Sequence, residues 1–158
     1  MKYQIQVRQF RSGDAPDLWQ IYHGAVHHVC SRDYSPEQLN AWAPDDFDAE
    51  TWAQSVARLK PFVAVVNAQP VGYTDLQPDG LIDHFFVHHA FQRCGVGTAL
   101  MEHVLTTARQ RGVTRLHSHV SITAQPFYLQ FGFSVIALNT PVIRGVALSN
   151  ATMERVQP

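Results

Sequence analysis

The chain has 158 residues, 46% hydrophobic and 16% charged, with 12 Lys and Arg against 13 Asp and Glu. That length predicts one domain over residues 1–158, able to bury roughly 68–70% of its unfolded surface, and the apolar share excludes a disordered chain. A net charge of −1 argues against a nucleic-acid partner, which normally leaves a basic stripe, and no run is long and apolar enough to predict a membrane span.

Tyr3 to Phe10 alternates apolar and polar residues, so a half-buried strand is expected. Asp14 should cap a helix running to about Cys30, with Pro16 in its first turn and Leu18, Ile21, Tyr22, Ala25 and Val29 as the buried stripe. Ser35-Pro36-Glu37 starts a short helix ending near Trp42, and Asp48 to Leu59 makes a third. Phe62–Asn67 and Val71–Leu76 flank Ala68-Gln69-Pro70, which reads as a hairpin turn. Pro78-Asp79-Gly80 leads into a central strand, Leu81 to Val87. A helix follows, burying Leu100, Val104 and Ala108 beside Met101 and Leu105 and stopping at Gly112. Then come a strand (Arg115–Val120), a short helix (Ala124–Phe131), a strand (Phe133–Ala137) and, past Pro141 and Gly145, a last strand from about Val146 to Glu154. The order predicts an α/β sandwich around a mixed sheet.

Between the central strand and its helix lies Gln92-Arg93-Cys94-Gly95-Val96-Gly97-Thr98. A strand–glycine turn–helix leaves free N–H groups at one spot, with the helix dipole behind them, and binds phosphate. Gly95 and Gly97 lack a Cβ, so an anionic ligand could approach the backbone closely. The nucleotide-triphosphate loop is excluded, because it ends Gly-Lys-Ser/Thr and the only lysines are Lys2 and Lys60. The dinucleotide fingerprint is excluded too, since Leu100 stands at its third glycine and no carboxylate lies near His117.

The remaining pattern resembles the pyrophosphate loop of the GNAT acetyltransferases, V-x-x-x-x-[QR]-x-x-G-x-G, with Val87 eight residues before Gly95. Downstream, Ala124-Gln125-Pro126-Phe127-Tyr128-Leu129-Gln130-Phe131-Gly132-Phe133 resembles that family's second motif, and Tyr34 to Trp42 is similar to a bacterial GNAT subgroup. The resemblance implies a GNAT-like mixed central sheet of six to seven strands with helices on both faces, splayed between its two central parallel strands. It implies acetyl-CoA as co-substrate, with the pantetheine arm hydrogen-bonding to backbone near Phe85, Phe86 and Val87. The pyrophosphate would lie on Gln92 to Thr98, with Arg93 either pairing with a phosphate or solvated. Many relatives carry Asn where this chain has Ser121, which puts a coenzyme or water contact there in question.

The family's tyrosine at the position of Tyr128 protonates or hydrogen-bonds the departing thiolate; a tyrosine packed beside Phe127 and Phe131 is the other reading. The resemblance also places a base, acting through water, four or six residues before Val87. Leu81 cannot titrate, which leaves Asp83, predicted on the same face as Phe85 and Val87; a strand-end carboxylate is the alternative, and His84 and His119 are further candidates. Cys94 at a helix start could be reactive without being catalytic. The acceptor pocket is expected from the first two helices and the hairpin, with His27, Tyr34 and Trp42 as contacts and His23 as a further candidate.

Nine histidines include the groupings His27-His28, His88-His89 and His117-x-His119, but no cysteine or carboxylate pattern completes a metal site, so none is expected. Cys30 and Cys94 are too few for a disulfide framework, and Met1-Lys2-Tyr3-Gln4 does not begin a signal sequence, so a cytoplasmic protein with free thiols is expected. The expected function is transfer of an acetyl group from acetyl-CoA to a primary amine of a small molecule or peptide, with a homodimer left open. The competing class is a catalytically silent acyl-CoA-binding sensor or partner domain.

Overall fold

The computed structural model describes residues 3–158; Met1 and Lys2 lie outside the described residues. In chain order the elements are β1 (Gln6–Gln9), α1 (Ala15–His28), α2 (Pro36–Trp42), α3 (Ala49–Leu59), β2 (Phe62–Val66), β3 (Gln69–Thr74) and β4 (Phe85–Val87). There follow α4 (Val96–Arg111), β5 (Arg115–Ser121), α5 (Gln125–Gln130), β6 (Ser134–Asn139), β7 (Val142–Ile143), β8 (Val146–Ala147) and β9 (Asn150–Val156). No helix among the described residues is long and apolar enough to cross a membrane.

The sheet differs from the one expected. β1-β2-β3-β4 form one antiparallel sheet, β5-β9-β6 a second, and β7-β8 a separate ribbon; a single parallel bridge, Leu81 to His117, links the first two. The strand expected over Leu81 to Val87 is interrupted, and only Phe85–Val87 pair with β3. The cause is Asp75, fully buried, whose carboxylate accepts the amide N–H groups of Asp83 at 3.0 Å and His84 at 2.7 Å. A side chain takes the donors that a ladder would use.

Other boundaries moved for local reasons. The β2–β3 turn is Asn67-Ala68, both with positive φ, so the connection turns one residue earlier than expected. Pro70 then lies inside β3, opposite Val65 at a bulge, where a missing N–H is tolerated. Asp14 precedes α1 but does not cap it with its side chain, because that carboxylate is held by Arg8 at 2.8 and 2.9 Å and by the Arg11 amide. The last strand begins at Asn150 rather than Val146, since Val146 and Ala147 pair with β7 instead.

Two apolar clusters fix the frame. Met101, Val104, Leu105 and Ala108 of α4 pack on Ile82, Leu116, Tyr128, Phe133 and Met153. Leu18 and Ile21 of α1 pack with Val56, Val63, Val65 and Tyr73 on the other side of the first sheet. Helices on both faces of sheet thus clamp β4 and the loop after it. On the outer edge, β6 leaves Leu138 82% exposed, with Val135 and Ile136 partly so.

Candidate active site

Two clefts meet in the middle of the molecule. The larger, about 600 Å³, is lined by Phe85, Phe86, Val87, Gln92, Arg93, Gly95, Gly97, Thr98, Ser121 and Tyr128, among others. The smaller, about 340 Å³, is lined by Tyr22, Tyr34, Trp42, Asp83, His84, Phe86, Ser121 and residues of the β7–β9 segment. Phe86 and Ser121 belong to both, so a molecule in one cleft can touch a molecule in the other at that junction.

One end of the larger cleft has the groups to hold an anion. The first helical bond of α4 runs from the Ala99 N–H to the Gly95 carbonyl, so the amides of Val96, Gly97 and Thr98 have no partner within the helix. The helix is 16 residues long and adds its dipole. The glycines also serve the fold. Gly95 caps α4 with φ +90, where a side chain is strained, and a Cβ there would meet Ile5 at 3.6 Å. A Cβ on Gly97 would press on the Phe127 ring at 3.2 Å.

Of the loop side chains, Gln92 donates to the Val87 carbonyl at 2.9 Å and ties the loop to β4. Arg93 is exposed and free to swing toward a ligand. Neither Cys94 nor Val96 lines the cleft: the Cys94 thiol donates to the Gln92 carbonyl, and Val96 is buried against Ala64, Val71 and Leu100. Ser121, in the place of the expected Asn, accepts the Ala124 N–H at 3.2 Å and shapes the entry to α5. Cys30, also on the cleft wall, has its thiol pushed up to about 11 by burial, which makes it a poor nucleophile.

Tyr128 is 2% exposed, wedged between the Phe85, Phe127 and Phe133 rings with centroids 5.0 to 6.0 Å away. Burial pushes its phenol well above the ordinary value, with Ser118 opposing the shift. The side chain is therefore a neutral hydroxyl donor over any working pH.

Asp83 is exposed and lines the smaller cleft, whereas Phe85 and Val87 line the larger; the break at Asp83–His84 cancels the strand alternation that put them on one face. Beside it His84 forms a hydrogen bond with the Tyr73 hydroxyl at 3.0 Å, and burial lowers its pKa against the opposing charge of Asp83. A neutral imidazole and a carboxylate thus stand side by side. His119 lines the same cleft and hydrogen-bonds with Thr152 at 3.2 Å.

Of the expected acceptor residues, Tyr34 and Trp42 line the smaller cleft and stand 5.4 Å apart edge to face. The Tyr34 hydroxyl donates to the Ser149 carbonyl and accepts the Ile122 N–H at 3.0 Å. His27 lies outside both clefts, its Nε2 2.6 Å from the Ala43 carbonyl. The β2–β3 hairpin contributes nothing to this pocket. Its place is taken by Pro141, Ile143, Arg144, Leu148, Ser149 and Asn150. Pro141 and Gly145 marked that stretch as irregular in sequence, but only long-range contacts bring it here: Arg144 Nη1 to the Ala41 carbonyl and Gln38 Nε2 to that of Ala147.

Comparison with known proteins places the chain in a family. An acetyltransferase (GNAT) domain family matches residues 30–154. The chain is 34% identical over 149 residues to the uncharacterized N-acetyltransferase YafP of Escherichia coli K12, covering 94% of each. It superposes on a GCN5-related N-acetyltransferase of Rhodopseudomonas palustris with a TM-score of 0.92 at 29% identity, covering 99% of this chain and 98% of that one. The yncA acetyltransferase of Salmonella typhimurium, solved with its cofactor acetyl-CoA, has the same fold at a TM-score of 0.69 and 20% identity, covering 98% and 94%. The chain belongs to the GNAT N-acetyltransferase family.

Proposed function

We propose that this N-acetyltransferase takes its acetyl group from acetyl-CoA and passes it to a primary amine by direct attack, without an acyl-enzyme. The observation that carries the reading is the meeting of the clefts: the free amides of α4 and Tyr128 open onto one, Asp83 and His84 onto the other, and both reach Phe86 and Ser121. A coenzyme in the larger cleft would rest its pyrophosphate on the Gly97 and Thr98 amides and run its pantetheine arm past Phe85–Val87, between β4 and the start of α5. Its thioester would then stand at the junction.

The amine must be neutral to attack. Asp83 takes its proton through water, and neutral His84 beside it is the second candidate base. The attacking nitrogen forms the C–N bond, the tetrahedral intermediate collapses, and the C–S bond breaks to give a thiolate. Tyr128 donates a hydrogen bond to that sulfur. Burial holds the phenol too weakly acidic to surrender its proton outright, so the thiolate collects its proton from solvent afterwards.

A screen of amino acids, polyamines, aminoglycosides and peptides with acetyl-CoA, following free thiol and acetylated product, tests the reading. Acceptor-dependent thiol release is expected. Coenzyme binding with no thiol release for any amine would instead favour the silent acyl-CoA-binding module.

A further inference from the structure

Away from both clefts, α1 carries His23 and His27 one helical turn apart, their rings stacked with centroids 4.2 Å apart and 29° between planes. Both Nε2 atoms face the connection between α2 and α3. That of His23 is 2.7 Å from a carboxylate oxygen of Asp45, and that of His27 is 2.6 Å from the Ala43 carbonyl. One ligand atom from each of His23, His27 and Asp45 lies within 4.8 Å of the others. Among the described residues this is the one group of three such side chains that converges.

We propose that this is a binding site for one divalent transition cation of the zinc class, outside the acetyl-transfer machinery. Two imidazoles and a carboxylate are the donors such a cation prefers, and water would fill the fourth position. Calcium and magnesium, which want oxygen ligands, are disfavoured. Both imidazoles make contacts to oxygen that protons now mediate, and a cation would replace those protons. The frame is already rigid. Ile21, Gly24, Ala25 and Val26 bury the helix; Ala43 is itself buried. Phe47 stacks on Trp19 at 4.0 Å, and the Tyr22 hydroxyl donates to the Trp42 carbonyl at 3.1 Å, so both ends of the connection are pinned to α1.

Asp45 stands in solvent with its side chain 86% exposed, which gives the ion an entrance. A solvated His23–Asp45 pair contributes little by itself and gives no reason for a second imidazole stacked on the first. The other stacked histidines differ: His28, His88 and His89 stack at 4.3 and 4.6 Å, but their ring nitrogens do not converge on one point. A bound cation would lock the segment directly after Trp42, which walls the smaller cleft.

The full chain, stripped with chelator, is to be titrated with zinc by calorimetry and with cobalt by visible absorption. One equivalent per chain is expected, with the intense cobalt bands of a four-coordinate site and a rise in melting temperature. His23→Ala, His27→Ala and Asp45→Asn should each weaken zinc binding by about tenfold or more, as removal of a ligand or its support does. Asp45→Asn is on the surface and should fold as the parent does, so its result is free of folding effects. His28→Ala with His89→Ala should bind zinc normally. Absence of saturable zinc binding would overturn the proposal. So would unchanged binding in Asp45→Asn and His27→Ala, or loss confined to the His28/His89 variant. None of these readings depends on acetyl transfer.

Discussion

The two clefts are built by different means. The larger one draws most of its lining from two short stretches of chain, the strand, glycine turn and helix start between Phe85 and Thr98 and the segment from Ser121 to Gln130, with Ala25, Val29, Cys30 and Arg32 on the remaining wall. The smaller one is side chains gathered from far apart, Tyr22 and Trp42 from the early helices, His84 from the interrupted strand, Arg144 and Asn150 from the last quarter. A backbone site needs particular residue types at particular spacings, whereas a side-chain site can be lined many ways. The first is suited to a constant ligand and the second to one that varies between relatives.

The sharpest break of that comparison is at Tyr128, the one side chain on the coenzyme side to which chemistry is assigned. Tyr128→Phe keeps the ring among Phe85, Phe127 and Phe133 and removes the donor alone. Turnover should fall about 10²–10³-fold, the worth of a donor aimed at developing negative charge, with the coenzyme dissociation constant nearly unchanged. Unchanged turnover with a lower melting temperature would make Tyr128 a packing residue.

Asp75 is where a side chain replaces backbone pairing, and it holds the two residues that front the smaller cleft. Burial lifts its carboxyl to about 6 from the ordinary 3.8, against hydrogen bonds from Gln77, His84 and Asp83. The folded state then keeps a proton that the unfolded chain has lost, so this group's contribution falls as pH rises from about 4 to 6, by on the order of 3 kcal/mol. Asp75→Asn cannot titrate. Denaturant melts from pH 4 to 7 should show the variant gaining on the parent across that window; parallel profiles would refute the shift.

Most of the larger cleft's framework was legible in the sequence, because it follows from order along the chain. The end of the strand at Val87, Gln92-Arg93-Cys94-Gly95, the amphipathic α4 and its stop at Gly112 all fell where expected. Even there the capping of α4 by Gly95 was not legible, since a positive φ leaves no periodic signal. The interruption of Leu81–Val87 was not legible: an alternating apolar run looks the same whether its amides meet a neighbouring strand or the carboxylate of Asp75. The smaller cleft was half legible. Tyr34 and Trp42 stood out as aromatic, but nothing local announces that Arg144 reaches back to Ala41, or that His27 turns away from the pocket.

Thr98 separates the fold of the backbone site from its affinity. It is exposed at the third position of α4, where an acid suits the helix dipole, so Thr98→Asp should leave the free protein as stable as before. The same charge would oppose phosphates resting on the neighbouring amides. At acetyl-CoA 100-fold above its dissociation constant the parent gains roughly 2.7 kcal/mol, and most of that gain should vanish in the variant. A thermal shift that survives intact would place the pyrophosphate elsewhere.

Trp42 provides the smallest and most selective break. Its ring lines the smaller cleft and meets Tyr34 edge to face at 5.4 Å, while its carbonyl, kept in any substitution, accepts from the Tyr22 hydroxyl. Once an acceptor is found, Trp42→Ala should raise its KM by about tenfold, the scale of one lost aromatic contact, and leave kcat and coenzyme affinity near the parent's. A purely structural Trp42 would lower the melting temperature and leave the acceptor KM alone. Loss of coenzyme affinity as well would mean that the clefts are coupled through Phe86, which lines both and lies 6.4 Å from the Trp42 ring. In that case the division between a backbone site and a side-chain site would describe how each is built but not how the two work.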